Sequence, residues 1–197
     1  MKHAYHALSA VVVAASLFAF AVPVRADLAT TLNPFNAYYN NIPRAAQAND
    51  VGKIRSLLSD GTSPNQTDEN GGTTGMHVAA ASGNLQIIAI LYKAGGDVNQ
   101  RDAVGSTPLD YAAEHDRYEA AKLLVEMKTR INDQNKNGMT ALMFAAKTGD
   151  IQLVHMLLDG GANPNTLDYT GRDAAGWAVE SHRQSVVQVL KDAEHKH

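Results

Sequence analysis

Residues 102–110 read Asp102-Ala103-Val104-Gly105-Ser106-Thr107-Pro108-Leu109-Asp110, and the chain repeats their design in register on both sides. The repeated positions lie 33 residues apart: Gly72, Gly105, Gly138 and Gly171; Thr74, Thr107 and Thr140; the alanine pairs 79–80, 112–113 and 145–146; and Asn99, Asn132 and Asn165. Self-similarity at a fixed period of roughly 20–50 residues indicates stacked repeats that bury a shared core. The sequence therefore predicts a solenoid.

Each unit reads as a turn followed by two short helices. Thr107 is a good N-cap, because its hydroxyl can accept a hydrogen bond from the first helical turn, and Pro108 suits the first helical position. Asp110 places a carboxylate near the helix N-terminus, and Ala112-Ala113 allow close packing. The second helix has an apolar stripe at helical spacing, formed by Ala120, Leu123 and Leu124.

The period, the Thr-Pro-Leu start and the unit endings resemble the ankyrin-repeat family over about residues 40–192. Gly95-Gly96-Asp97-Val98-Asn99 and Gly161-Ala162-Asn163-Pro164-Asn165 are similar to the family's Gly-Ala-Asp-Val-Asn ending, in which glycine takes a left-handed conformation. Lys128-Thr129-Arg130-Ile131-Asn132 lacks that glycine, so the shape of this turn is left open. The resemblance implies an all-α repeat solenoid of about five ankyrin repeats, with β-turn or hairpin fingers and degenerate terminal capping repeats.

The chain divides into four parts. Residues 1–26 have a polar start, an apolar run and a small-residue ending, which predicts a cleaved secretory signal peptide; an uncleaved membrane anchor is the alternative. Residues 27–41 form a leader with aromatic residues, which we interpret as a cap on the first repeat or as a docking segment. Residues 42–192 are the repeat domain, and residues 193–197 are expected to be a flexible tail.

The composition of the chain limits its possible cellular compartments and its possible classes of partner. The chain has no cysteine, which excludes disulfides and thiolate metal sites and suits an oxidising compartment, so we expect a periplasmic location. Removal of residues 1–26 changes the net charge from −3 to −5, because Lys2 and Arg25 are lost. Nucleic acid and anionic membranes are therefore poor partners. We interpret Asn65-Gln66-Thr67 as a chance match to a glycosylation site.

We find no catalytic motif in the sequence and expect no cofactor and no enzymatic activity. His77 fits a structural role near a helix start, whereas a ligand role is the alternative. Three further histidines fall at different repeat positions, and two in the tail are a weak candidate for a transition metal; these are His115, His155 and His182, then His195 and His197. Val78, Tyr111, Phe144 and Trp177 share one register position, which predicts core filling or, alternatively, a recognition stripe.

The resemblance implies a concave surface, made of fingers and first helices, that binds another protein. Carried over by position, the candidate contact residues are Ala81, Ser82, Arg101, Glu114, His115, Arg130, Lys147, Thr148, Tyr169 and Glu180. The finger tips add Glu69, Asn70, Ala103, Val104, Lys136, Asn137 and Thr170. Tyr169, His115, Arg101 and Arg130 are the expected anchors, because aromatic and arginine side chains carry much of the energy of interfaces.

Our first hypothesis is thus a non-enzymatic, monomeric, periplasmic protein-binding module. The resemblance makes a peroxide-defence enzyme such as a catalase one partner class, although no residue selects it. The alternative is a haem or metal carrier that uses surface histidines. An enzyme is the third hypothesis, and it would need clustered titratable groups that the repeat register does not supply.

Overall fold

The computed structural model describes residues 41–69 and 72–194, and it places ten α-helices in that part of the chain. The helices are α1 Ile42–Gln47, α2 Val51–Ser59, α3 Gly75–Ser82, α4 Leu85–Lys93, α5 Pro108–Glu114, α6 Tyr118–Glu126, α7 Ala141–Thr148, α8 Ile151–Asp159, α9 Ala174–Glu180 and α10 Gln184–Glu194. The only β pairing among the described residues is one isolated antiparallel bridge between Thr67 and Thr74.

Consecutive helices pack as hairpins, and the hairpins stack in chain order. The first helices of the repeats (α1, α3, α5, α7 and α9) form one layer, in which each contacts the next. The second helices from α4 to α10 form the other layer. The predicted all-α repeat solenoid is confirmed.

The core lies between the two layers and continues from repeat to repeat. Both members of each alanine pair in α3, α5 and α7 are fully buried, because small side chains let neighbouring first helices approach closely. The second helices contribute mostly larger buried side chains at helical spacing, namely Ile87, Ile88, Leu91, Leu124, Leu153, Val154 and Leu157, together with Ala120 and Ala121 in α6. Each repeat therefore buries its apolar stripe only with the help of its neighbours.

Side-chain caps begin the first helices as predicted. The Thr107 hydroxyl accepts from the Asp110 N–H at 3.3 Å, while the Asp110 carboxylate accepts from the Thr107 N–H at 2.8 Å. His77 makes the equivalent reciprocal contact with the Thr74 N–H in repeat two, at 3.2 Å. Repeat five lacks the threonine, and Asp173 caps α9 in its place.

The turn that lacks a glycine has the same shape as the others. Gly61, Gly95 and Gly161 follow the second helices with φ of 85°, 89° and 94°. Lys128 occupies the same register position and takes a φ of 65°. This left-handed conformation is unfavourable for a residue with a Cβ atom, so the repeat context imposes it.

Asparagine side chains bond each loop to the next repeat. Asn132 accepts from the backbone N–H of Asn163 at 2.8 Å and donates to the carbonyl of Gly161 at 3.0 Å. Asn65 and Asn99 also accept from the backbone of the following repeat, each at 2.7 Å. The glycosylation-type triplet that begins at Asn65 therefore starts at an asparagine with a structural role.

Two observations concern the ends of the chain. Helix α10 continues to Glu194, two residues beyond the boundary predicted for the repeat domain. The predicted signal peptide, the leader up to residue 40, finger position 70 and the two tail histidines lie outside the described residues. Within residues 41–69 and 72–194, no helix is long and apolar enough to cross a lipid bilayer.

Candidate binding surface

The fingers are loops that precede the first helices, and three of them are residues 101–107, 134–140 and 167–173. Each is folded around one side chain at the same register position: Asp102, Asn135 or Asp168. The Asp168 Oδ1 atom accepts from the N–H groups of Thr170 and Arg172, at 2.8 and 2.9 Å. Asp102 and Asn135 accept from their own fingers in the same way. These bonds hold the loops in one conformation.

Neighbouring fingers are hydrogen-bonded to one another. The Lys136 N–H donates to the Val104 carbonyl at 2.9 Å, and the Tyr169 N–H donates to the Asn137 carbonyl at 3.1 Å. The Gln134 side chain adds a bond to the Leu167 carbonyl at 2.9 Å. The three fingers therefore form a continuous row, with Val104, Leu167 and Tyr169 exposed.

The column of Val78, Tyr111, Phe144 and Trp177 refines one prediction. All four pack against the core as predicted, but only Phe144 is buried, and the other three are half-buried and keep part of their surface exposed. The Tyr111 hydroxyl donates to Asp102 Oδ2 at 2.9 Å, and the Trp177 Nε1–H donates to Asp168 Oδ2 at 3.0 Å. The aromatic side chains of α5 and α9 thus support the fingers.

The sequence carries a signal of this pairing. The finger residue at the shared register position and the aromatic residue lie nine positions apart in the sequence. In repeats three and five, where the aromatic side chain (Tyr111 or Trp177) carries a hydrogen-bond donor, the finger residue is an aspartate. In repeat four the aromatic residue is Phe144, which has no donor, and the finger residue is Asn135. The Asn135 amide instead donates to the Ser106 hydroxyl at 3.2 Å. The repeat register alone therefore predicts that an aspartate accompanies a tyrosine or tryptophan, and an asparagine accompanies the phenylalanine.

Burial and hydrogen bonding shift the pKa values of Tyr111 and Asp168 in opposite directions. Burial raises the pKa of Tyr111 to about 12, and its hydrogen bond to Asp102 adds to the shift. Burial acts to raise the pKa of Asp168, but the hydrogen bonds that this carboxylate accepts outweigh burial and hold its pKa below the usual 3.8. Asp168 is therefore ionised, and donors of its own finger together with Trp177 of α9 satisfy its charge.

Two clefts open on the surface made by the fingers and first helices. The first, here called the tyrosine cleft, has a volume of about 290 Å³ and is lined by residues that include Arg44, Gln47, Asp68, Val78, Tyr111 and His115. The His115 ring stacks on the Tyr111 ring with 6.2 Å between centroids. The His115 Nδ1 atom lies 2.9 Å from the Tyr111 carbonyl, so the ring is held against its own helix.

The second, here called the tryptophan cleft, has a volume of about 260 Å³ and is lined by residues that include Lys136, Asn137, Met139, Tyr169, Arg172 and Trp177. The guanidinium carbon of Arg172 lies 4.2 Å from the centre of a Trp177 ring, and Lys147 Nζ lies 5.4 Å from it. Arg172 also forms an ion pair with Glu180. Tyr169 at the rim is 73% exposed.

Comparison with known families identifies the architecture. The family model described as "Ankyrin repeats (3 copies)" matches residues 43–135 and 127–197, which together cover most of the chain. The chain belongs to the ankyrin-repeat family. Ankyrin repeats indicate a protein–protein interaction module.

Individual relatives match this chain over about 70 residues. The chain is 39% identical over 72 residues to protein phosphatase 1 regulatory subunit 12A of Mus musculus, a match that covers 36% of this chain and 7% of that protein. It is 42% identical over 69 residues to an ankyrin repeat-containing protein of Schizosaccharomyces pombe, covering 35% and 33%. It is 40% identical over 70 residues to ARF GTPase-activating protein GIT1 of Homo sapiens, covering 36% and 9%. The match spans a third or less of each relative.

The ankyrin scaffold places eight of the ten predicted contact residues in two groups. Seven lie at the last residues of the first helices or at their C-caps, and these are Ala81, Ser82, Glu114, His115, Lys147, Thr148 and Glu180. Of these, Ala81 and Thr148 are half-buried and the others are exposed. Tyr169 lies on the last finger. Lys147, Tyr169 and Glu180 meet around the tryptophan cleft, through their contacts with Trp177, Asn137 and Arg172 respectively.

The two remaining predicted anchors form intramolecular contacts. Arg101 Nη2 and Arg130 Nε each lie 3.1 Å from Asp133 Oδ2. Arg101 also donates to the Gln134 carbonyl at 2.6 Å, which ties one finger to the next. Asp133 therefore links both arginines to the scaffold. Arg172 was not among the predicted residues, although it lies at the centre of the tryptophan cleft.

The histidines of the described chain do not converge on one point. Nδ1 of the buried His77 accepts from Thr74, and its Nε2 lies 3.1 Å from the Ser106 carbonyl, the acceptor to which it donates. The predicted structural role of His77 is confirmed, and burial lowers its pKa below the usual 6.5. His155 is exposed on α8, and His182 occupies a left-handed position after α9. In residues 41–69 and 72–194, no group of three or more histidine or carboxylate side chains could hold a metal ion.

Proposed function

We propose that this ankyrin-repeat protein is a non-enzymatic binding module that recognises a protein partner with its concave surface of fingers and first helices. The row of hydrogen-bonded fingers carries the proposal. Because each finger is bonded internally and to its neighbour, the surface is ordered before a partner arrives, and less conformational entropy is lost on binding. The exposed Tyr169 side chain supplies an aromatic anchor on that ordered row.

Photo-crosslinking tests this proposal with a matched pair of tyrosines. Tyr169 lies on the last finger and is 73% exposed, whereas Tyr92 lies on the second helix α4 and is 45% exposed. A photoreactive phenylalanine analogue replaces one or the other in the full-length chain, which is expressed in its own cells and irradiated. We expect a discrete protein adduct from position 169 and not from position 92. Adducts from neither position, or equally from both, would show that the surface is wrongly assigned.

We further propose export to the periplasm with cleavage after Ala26. The apolar run in residues 1–26, its small-residue ending and the absence of cysteine support this location. Mass spectrometry of the protein from a periplasmic fraction should give a chain that begins at Asp27. An intact N-terminus in a cytosolic or membrane fraction would contradict export with cleavage.

The partner is proposed to be a protein, bound by a monomer that contacts neither nucleic acid nor membrane once the signal is removed. A net charge of −5 after cleavage supports the exclusion of nucleic acid and anionic membranes, since both repel an acidic protein. Peroxide-defence enzymes such as catalase are the partner class that the family resemblance adds. Identification of the adduct formed at position 169 tests that class directly.

A further inference from the structure

The tryptophan cleft is a cationic site on an acidic protein. Its cations are Lys136, Lys147 and Arg172, and the carboxylates near them are Asp168 and Glu180. Asp168 lines the cleft but is only 5% exposed, and its charge is compensated by hydrogen bonds from four donor groups of its own repeat and by Arg172, whose Nε lies 4.0 Å away. Glu180 pairs with Arg172 alone. In the described part of the chain, neither lysine forms an ion pair with a carboxylate.

The cleft also offers an aromatic contact. Tyr169 stands at its rim, and its backbone is fixed by the bond to Asn137. The Trp177 Nε1–H is already bonded to Asp168, so only the indole ring carbons are left for contact with a ligand. A ligand that matches this site combines carboxylates, which meet the lysines, with an apolar side chain, which packs on the rings.

We propose that the tryptophan cleft binds an acidic peptide segment of the partner protein, with an apolar residue between carboxylates. This proposal rests on the proposed function and names the chemistry of the partner. Charge complementarity argues for this occupant: the whole chain has a net charge of −3, so an acidic segment binds best where cations are concentrated, as Lys136 and Lys147 are at this cleft. The acidic segment would therefore be steered to this cleft.

The cleft contains its own reporter. Trp177 is the only tryptophan in the 197-residue chain, so intrinsic tryptophan fluorescence comes from this cleft alone. The probe is the peptide acetyl-Asp-Glu-Leu-Glu-Asp-amide, and the matched peptide is acetyl-Asn-Gln-Leu-Gln-Asn-amide, which has the same shape and no charge. We expect a saturable change of Trp177 emission with the acidic peptide only, and an affinity that falls as salt is added.

Two double variants test the assignment of the lysines. Lys136→Gln with Lys147→Gln removes two charges from the cleft, and we expect it to weaken binding of the acidic peptide about tenfold. The control, Lys93→Gln with Lys122→Gln, removes the same charge from exposed positions on α4 and α6. It should leave the affinity unchanged. Far-ultraviolet circular dichroism verifies that both variants are folded.

Three results would overturn the proposal. The first is that the uncharged peptide binds as well as the acidic one. The second is that the control variant weakens binding as much as the cleft variant. The third is that inorganic phosphate gives the same change of emission at the same concentration. The last result would assign the cleft to small anions. If the peptide fails while crosslinking from position 169 still captures a partner, only the present proposal falls. If both fail, the proposed binding surface falls with it.

Discussion

At the scale of single residues, a base in one repeat and an acid in the next occupy the same register position, and each caps a first helix. His77 in repeat two and Asp110 in repeat three both close the cap of a first helix, and both are buried. Burial lowers the pKa of His77 and raises the pKa of Asp110 to about 7 from the usual 3.8. Each side chain is thus stabilised in its neutral form, as expected in a low-dielectric interior.

The Asp110→Asn substitution tests this interpretation through pH. Because the pKa of Asp110 is raised on folding, its contribution to stability is full below about pH 4 and is lost as pH rises through about 7. Relative to the variant, the wild-type free energy of unfolding should fall by about 1.4 kcal/mol per pH unit across that range. Urea unfolding at several pH values measures it.

The comparison needs a control for charge. Asp159→Asn removes a carboxylate from an exposed position at the end of α8, and the stability of this variant should follow that of the wild type at every pH. A constant difference between wild type and Asp110→Asn from pH 4 to 8 would show that Asp110 stays ionised in the folded protein.

Lys128 is the other residue whose context overrides its own preference. Its φ of 65° costs a residue with a Cβ atom about 1 kcal/mol, which glycine avoids. We expect Lys128→Gly to raise the free energy of unfolding by about 0.5 kcal/mol, because the greater freedom of glycine in the unfolded chain offsets part of the gain. Lys128→Ala keeps the Cβ atom and should change little. A lower urea midpoint for the glycine variant would contradict the expectation.

At the scale of elements, finger packing depends on how close one finger lies to the next. Gly138 has a φ of 78°, and a Cβ atom built on it would lie 2.6 Å from the backbone nitrogen of Tyr169. Gly171 has the same register and a φ of 83°, but nothing lies within 4 Å of such an atom. The two glycines differ mainly in whether a following finger among the described residues packs against them.

Alanine at these two positions separates packing from backbone strain. Gly171→Ala should cost about 1 kcal/mol, the penalty of a left-handed residue with a Cβ atom. Gly138→Ala should cost about 2 kcal/mol more, because it also displaces the following finger and its hydrogen bond to Asn137. Urea unfolding gives both values, and equal costs would show that finger contact contributes nothing to stability.

Much of this architecture could be predicted because it depends on local chemistry repeated at a fixed period. Thr107 predicts a helix start and Gly161 a left-handed turn, since each residue type favours that geometry by itself. The turn at Lys128 could not be derived in this way, because the neighbouring repeats impose it. The position of Arg172 over Trp177 was also missed, since it depends on how a finger folds back onto its helix. Whether the predicted contact residues bind a partner stays a prediction.

At the scale of the whole molecule, stability passes from repeat to repeat through nearest neighbours. Asn132 joins repeat three to repeat four by two hydrogen bonds, at 2.8 and 3.0 Å. Such a stack unfolds as one unit only while each interface is strong enough to couple its neighbours. Trp177 reports on repeat five and its contact with repeat four, whereas circular dichroism reports on all the helices. Comparison of the fluorescence and circular-dichroism signals therefore measures how strongly the repeats are coupled.

Asn132→Ala should weaken that interface and separate the two signals. We expect the wild type to unfold in urea with coincident fluorescence and circular-dichroism midpoints, the mark of a two-state transition. In the variant, the repeats beyond the interface lose about 1–2 kcal/mol of support, so the Trp177 midpoint should fall below the circular-dichroism midpoint. Asn165→Ala makes the same change one repeat later, where none of the described repeats follows, and should keep the midpoints together. Coincident midpoints in Asn132→Ala would mean that the buried alanine pairs couple the repeats without the asparagine bonds.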